Sequence, residues 1–201
     1  MASGMATATA SASASYELRF DSGRICLDLT ATTHPEERLD SAARLRAWIA
    51  ASGLVPAGTP LAAVDATWLL AFCELRGHIA QLVRGELDAR PAEAALARVN
   101  AVALGTPPAP WAVRADDGSL HRRLRTPPGC AELLSVVARD ALDLLTDPVA
   151  RASLRQCEGD NCPIVYLDTS RGRRRRWCSS EVCGNRERVA RHRRRAALAR
   201  A

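Results

Sequence analysis

The chain of 201 residues predicts an α+β protein: a mostly α-helical body with short antiparallel hairpins, followed by a small C-terminal treble-clef-like zinc finger. Three observations carry that prediction. Apolar side chains recur at helical spacing through much of the first 148 residues, and two short stretches alternate around Asp/Gly turns. Four of the seven cysteines crowd into the 27 residues from Cys157 to Cys183. The length suits one domain plus a small module, and a hydrophobic fraction of 47% excludes a wholly disordered chain. No run approaches the roughly 20 apolar residues of a membrane span.

Residues 1–15 are almost wholly Ala, Ser, Thr and Gly and are expected to be disordered. The body is expected over 16–148. Tyr16, Leu18 and Phe20 alternate with polar residues, Asp21-Ser22-Gly23 reads as a turn, and Arg24–Leu29 as a returning strand. In that strand Asp28 is expected on the solvated face. Helices are expected over 41–52 behind an Asp40 cap, from Thr59-Pro60 to about Leu87, and from Pro91 to near Gly105. Trp111–Arg114 and Leu120–Arg122 flank Asp116-Asp117-Gly118 as a second hairpin, and Gly129–Thr146 returns to helical spacing. Cys26, Cys73 and Cys130 read as small buried residues.

The formal charge is +6, and all 28 basic residues are arginine, a usage that fits a GC-rich bacterial genome. Their placement is uneven. Residues 1–150 hold 14 Arg against 17 acids, whereas 151–201 hold 14 Arg against 5 acids. An acidic body therefore precedes a strongly basic segment, with the boundary near 148–153. The N-terminus lacks the charged and apolar regions of a secretory signal, and seven is an odd number of cysteines, so a cytoplasmic, reduced protein is expected.

Four residues separate Cys157 from Cys162, fifteen separate Cys162 from Cys178, and four separate Cys178 from Cys183. Two chelating loops joined by a longer connector suit the tetrahedral thiolate site of one structural Zn²⁺. Four protein thiolates close the coordination shell, so the ion is expected to hold a fold and not to activate water. Two disulfides are the competing reading, disfavoured by the redox compartment. Ile164 and Tyr166 are expected to open a strand, with Arg175, Arg176 and Trp177 as its return, and Ser179 or Ser180 to cap a helix that places Cys183 in its first turn.

That helix carries Arg186, Arg188, Arg191, Arg193, Arg194 and Arg195, spread around most of its circumference at ~100° per residue. The connector adds Arg171, Arg173, Arg174, Arg175 and Arg176. A helix polar nearly all round cannot be buried in its own protein. These eleven arginines are the expected nucleic-acid contacts, since Arg neutralises phosphate and pairs bidentately with guanine. The helix has no bulky apolar face for a membrane. RNA stays open, although Tyr166 and Trp177 are few aromatics for a single-strand platform. A protein-interaction or assembly finger beneath a ligand-sensing body is the reading from another class.

Cys183-Gly184-Asn185-Arg186, preceded by Arg176-Trp177-Cys178-Ser179, resembles the signature of the bacterial CGNR zinc-finger family, as do the positions of Asp168, Ser170 and Arg171. The body resembles the ABATE domain through Cys26-Leu27-Asp28, Leu75-Arg76 and Val99-Asn100. Ala31-Thr32 stands where that family commonly has Asn-Thr. The resemblance implies a stress-associated transcription regulator whose finger, over 149–201, binds DNA while the body senses an effector or assembles. Trp177, Gly184 and Asn185 become structural parts of the finger: Gly184 for close backbone approach near the ion, Asn185 for a bond across the knuckle. Arg186 is then best placed to reach a phosphate or base. No enzyme is expected, because His34, His78, His121 and His192 are isolated from any nucleophile, phosphate loop or metal-spaced carboxylate.

Overall fold

A computed structural model describes residues 18–198. The tail expected over 1–15, Tyr16 and the last three residues of the expected finger, 199–201, lie outside these residues. The body is built from α1 (Ile25–Thr30), α2 (Ala42–Ala51), α3 (Ala66–Leu87), α4 (Glu93–Ala103), the hairpin β1 (Pro110–Arg114) and β2 (Leu120–Leu124), and α5 (Cys130–Thr146). A short α6 (Pro148–Arg151) leads into β3 (Leu154–Gln156) and β4 (Val165–Leu167), then a π-helical turn Ser180–Gly184 and α7 (Asn185–Leu198). No helix among the described residues is long and apolar enough to cross a membrane.

The first expected hairpin is not formed: 25–30 is a helix. Cys26, Leu27, Asp28 and Leu29 are all buried, so the segment has no solvated face for a strand to present. Its exposed amides are satisfied from far away in the chain. Asp140 of α5 accepts from the Cys26 amide (3.0 Å) and from Arg24 Nε (2.8 Å), supplying the cap that Arg24 itself cannot. Asp28, expected in solvent, is 7% exposed and accepts from the Ser22 amide at 2.9 Å. Burial pushes its carboxyl up to about 6, against the lowering effect of that amide.

The caps of α2 and α3 are Ser41 and Asp65, whose side chains accept from the amides of Arg44 and Trp68. The helices therefore start one and six residues later than the apolar pattern suggests. α3 is the central helix, packed against α1, α2, α4 and α5. Around it the core gathers Leu45, Trp48, Phe72, Ile79, Leu133 and Leu144, with Trp48 edge-on to Phe72 at 6.1 Å between centroids. The β1–β2 hairpin forms as expected, antiparallel from Pro110↔Leu124 to Arg114↔Leu120, with Gly118 at φ +83° in its turn. It is mostly exposed and is fastened by Arg123 donating to the Ala57 carbonyl.

Arg76 of α3 fixes the segment between α1 and α2. It is 8% exposed, donates to Glu37 through both terminal nitrogens (2.7 and 2.6 Å), and reaches Thr32 Oγ1 at 2.9 Å. Burial raises the Glu37 carboxyl, but the guanidinium outweighs it and holds the group below its ordinary value. This clamp positions Ala31, which is buried among the cysteines of the finger.

Candidate metal centre and basic surface

The four cysteines converge as their spacing predicts. β3 and β4 pair antiparallel from Leu154↔Leu167 to Gln156↔Val165, and the Cys157 amide continues the ladder to the Ile164 carbonyl. Cys157 and Cys162 thus sit in the loop that joins the two strands. The partner of β4 is β3, upstream, and not the expected return strand at 175–177. The reason is Asp168, whose carboxylate accepts from the Ser170 amide (2.9 Å) and the Arg175 amide (3.1 Å) and wraps 168–175 into a turn. Those bonds, Ser170's first, hold the Asp168 carboxyl below its usual range against burial. Cys178 follows in extended chain, and Cys183 comes from the π-helical turn, capped by Ser179 accepting from the Val182 amide.

All four ligand atoms are buried and lie within 4.8 Å of one another. Sγ of Cys178 is 3.8 Å from that of Cys162 and 3.6 Å from that of Cys183, and every cysteine is a free thiol. A tetrahedron with Zn–S bonds of ~2.3 Å has edges of about 3.8 Å. The donor chemistry agrees. Cys157 Sγ accepts from the amides of Gly159 (3.4 Å) and Cys178 (3.3 Å). The Cys162 thiol, followed by Arg19, draws Cys178 down to about 5, while burial and that charge push Cys183 up to about 12, and the hydrogen bond to Cys178, then burial, raises Cys162. Four buried sulfurs converging on one point are the donor set of a tetrahedral cation, and the cluster fits one structural zinc ion, held by Cys157, Cys162, Cys178 and Cys183.

The cradle is tight. A Cβ on Gly159 would stand 3.2 Å from Cβ of Cys183 and 3.4 Å from two of the sulfurs. A Cβ on Gly184 would stand 3.4 Å from the ring of Trp177, so it is the indole that crowds this glycine. Trp177 is half-buried against the cysteines, whereas Asn185 stands exposed at the head of α7 and makes no side-chain bond across the knuckle among the described residues. Sequence reasoning missed Arg19, which pairs with Asp21 (2.7 Å) and donates to Cys178 Sγ at 3.7 Å. Nothing local marks it, because its partner lies 159 residues away.

The eleven arginines divide. Arg175 is occupied inside the protein: it stacks on Tyr166 at 4.4 Å and donates to the carbonyls of Asp21 (2.9 Å), Trp177 (2.9 Å) and Cys178. Arg176 pairs with Glu158 at 2.6 Å and lies over Trp177, and Arg194 pairs with Glu187 at 2.8 Å. Arg188 reaches the Ser180 carbonyl at 3.4 Å. Arg171, Arg173, Arg174, Arg186, Arg191, Arg193 and Arg195 are exposed and have no ion pair among the described residues. α7 buries no residue at all.

Residues 23–148 match the ABATE family, described as putative stress-induced transcription regulator, and residues 153–196 match the CGNR zinc finger. The first match covers well over half of the chain. Both are regulator and zinc-finger types. No curated protein matches the chain.

Proposed function

We propose, from the premise that the chain belongs to the ABATE family and carries a CGNR zinc finger, that it is a zinc-dependent DNA-binding regulator of transcription. Residues 149–201 engage the nucleic acid, residues 16–148 sense or assemble, and the protein works in the cytoplasm. The observation that carries this reading is α7: a helix with no buried residue and a bare row of guanidinium groups, its head fastened to the four-thiolate centre through Cys183. A structural ion gives such a helix the fixed attitude that phosphate and base contacts require. Arg186, Arg191, Arg193 and Arg195 supply contacts from the helix, and Arg171, Arg173 and Arg174 from the turn before it. Arg176, Arg188 and Arg194 reach phosphate by exchanging the partners described above, and Arg175 stays in the framework.

Duplex DNA is favoured over single-stranded RNA because Tyr166 is fully buried and Trp177 half-buried, which leaves no stacking platform on the finger. The test is a salt titration of duplex DNA and of single-stranded RNA on full-length protein of measured zinc content. Duplex affinity is expected to fall with log–log slope of about −0.9 per phosphate neutralised. A flat response, or tighter binding to the single strand at every salt, overturns the reading.

A further inference from the structure

The surface of α7 is divided lengthwise. At about 100° per residue, Arg186 and Arg193 fall in one row, and Arg188, Arg191 and Arg195 in another on the opposite side of the helix. None of these five is ion-paired among the described residues, although Arg188 donates to the Ser180 carbonyl at 3.4 Å. Between the rows runs a stripe with no arginine and no carboxylate: Asn185, Val189, His192 and Ala196, spaced i, i+4, i+7, i+11. Asn185 and His192 are exposed, Val189 is 42% exposed and Ala196 is half-buried. The side-chain amide of Asn185 has no hydrogen-bond partner among the described residues, and the same holds for the His192 ring.

The other flank between the rows is different. Glu187 lies there, its side chain 19% exposed and paired to Arg194 at 2.8 Å, with Ala190 half-buried beside it. A carboxylate on that flank opposes phosphate. The helix therefore has a back closed by an ion pair and an open front edged on both sides by cations.

We infer that α7 reads base sequence in the major groove of duplex DNA through Asn185, Val189 and His192, with the two arginine rows on the two phosphate backbones that bound the groove. This role rests on the nucleic-acid reading above and adds to it the residues that choose a sequence, since phosphate contacts position a protein and base contacts specify. The dimensions agree: a helix with its side chains is about 10–12 Å across, and the major groove is about 12 Å wide. The Asn185 amide offers the acceptor and donor that match adenine N6 and N7, and Val189 offers methyl groups to the C5-methyl of thymine. At 1.5 Å per residue these two side chains stand about 6 Å apart along the axis, roughly two base steps. His192, about one turn further on, supplies a donor or acceptor to a third position. The deep, narrow major groove of A-form RNA does not admit such a helix, so the assignment is to DNA.

The experiment uses zinc-loaded full-length protein and a pool of duplex DNA of random sequence, from which bound duplexes are selected over successive rounds. The selected duplexes are expected to share a short motif containing adenine. Asn185→Ala is expected to weaken the selected duplex about tenfold while binding the random pool within about twofold of the parent. Replacing the motif's thymines by uracil, which lacks the C5-methyl group, is expected to weaken the parent about threefold at one position and Val189→Ala not at all. Arg191→Gln is the contrast, weakening selected and random duplexes alike and flattening the log–log salt slope by about 0.9. Selection of no motif, or an equal loss on both pools in an Asn185→Ala protein that keeps one zinc, overturns the stripe and leaves the nucleic-acid reading standing. Should Asn185→Ala lose its zinc, the uracil series decides, and equal affinity at every position overturns the stripe. Absence of duplex binding overturns both.

Discussion

Body and finger are held together by different physics. The body's core is a contiguous set of aliphatic and aromatic side chains around α3, with Trp48 and Phe72 at its middle. The finger's own buried cluster is four cysteines plus Ala31, Ile164 and Tyr166, with Trp177 alongside, so most of what is inside it is the ligand set. A cluster that small buries too little apolar surface to fold its segment. Around the four cysteines order has to come from coordination, beside what Leu154 and Leu167 gain in the body's core, whereas the body's order comes from area removed from water. The contrast explains why an almost wholly polar helix can exist at the C-terminal end: α7 is anchored at its head by a metal ligand and has no apolar face to bury.

The strongest way to break this contrast is Cys178→Ser. Structural zinc in fingers is worth roughly 10–16 kcal/mol, so the finger's amide dispersion and bound zinc should both be lost. The near-ultraviolet signal of the Trp48 environment is expected to survive, since none of the four ligands belongs to the body's core. Loss of both signals together would show that the two regions share one stabilising principle. Phe72→Ala tests the other side. It should cost about 3–5 kcal/mol in denaturant unfolding while zinc stoichiometry in the folded fraction stays at one.

A smaller effect sharpens the comparison at Asp28, a buried carboxyl without a cation. Its folded value of about 6 lies above the ordinary one, so the native state holds the proton more tightly. Stability therefore declines as pH rises from about 4 to about 6 and stays reduced above that. Asp28→Asn keeps an acceptor for the Ser22 amide and should stabilise the protein by on the order of 1–3 kcal/mol at pH 7.5, a gain that shrinks toward pH 4. The gap between variant and parent unfolding midpoints across that range is the measurement, and a pH-independent gap would contradict it. The smallest effect belongs to Glu158→Gln on the finger surface, where both partners of the Arg176 pair are more than half exposed. Unfolding should move by no more than ~0.5 kcal/mol.

What could be read in the sequence was what depends on near neighbours. Ligand spacing placed the zinc cysteines, the Asp-Gly turn placed β1 and β2, and apolar periodicity placed α2 to α5. The failures share one cause. The segment 25–30 has β-branched and alternating character, yet its helix is decided by Asp140, more than a hundred residues away. The expected return strand at 175–177 gives way because Asp168 takes the Arg175 amide and β3 takes the edge of β4. Arg175 looked like one more surface cation in a run of four and is a framework residue stacked on Tyr166. Composition counts such a charge without saying which way it faces.

Leu154 and Leu167 of the finger's strands lie in the body's core, the Leu167 amide donates to the Ser22 carbonyl at 2.8 Å, and Arg175 donates to the carbonyl of Asp21. A finger mounted in this way does not swing on a tether. Its bearing is inherited from the body, so the body sets the angle at which α7 meets any target. Two copies joined through their bodies would present two helices at one fixed separation, and a finger excised near residue 153 would lose the bracket that aims it.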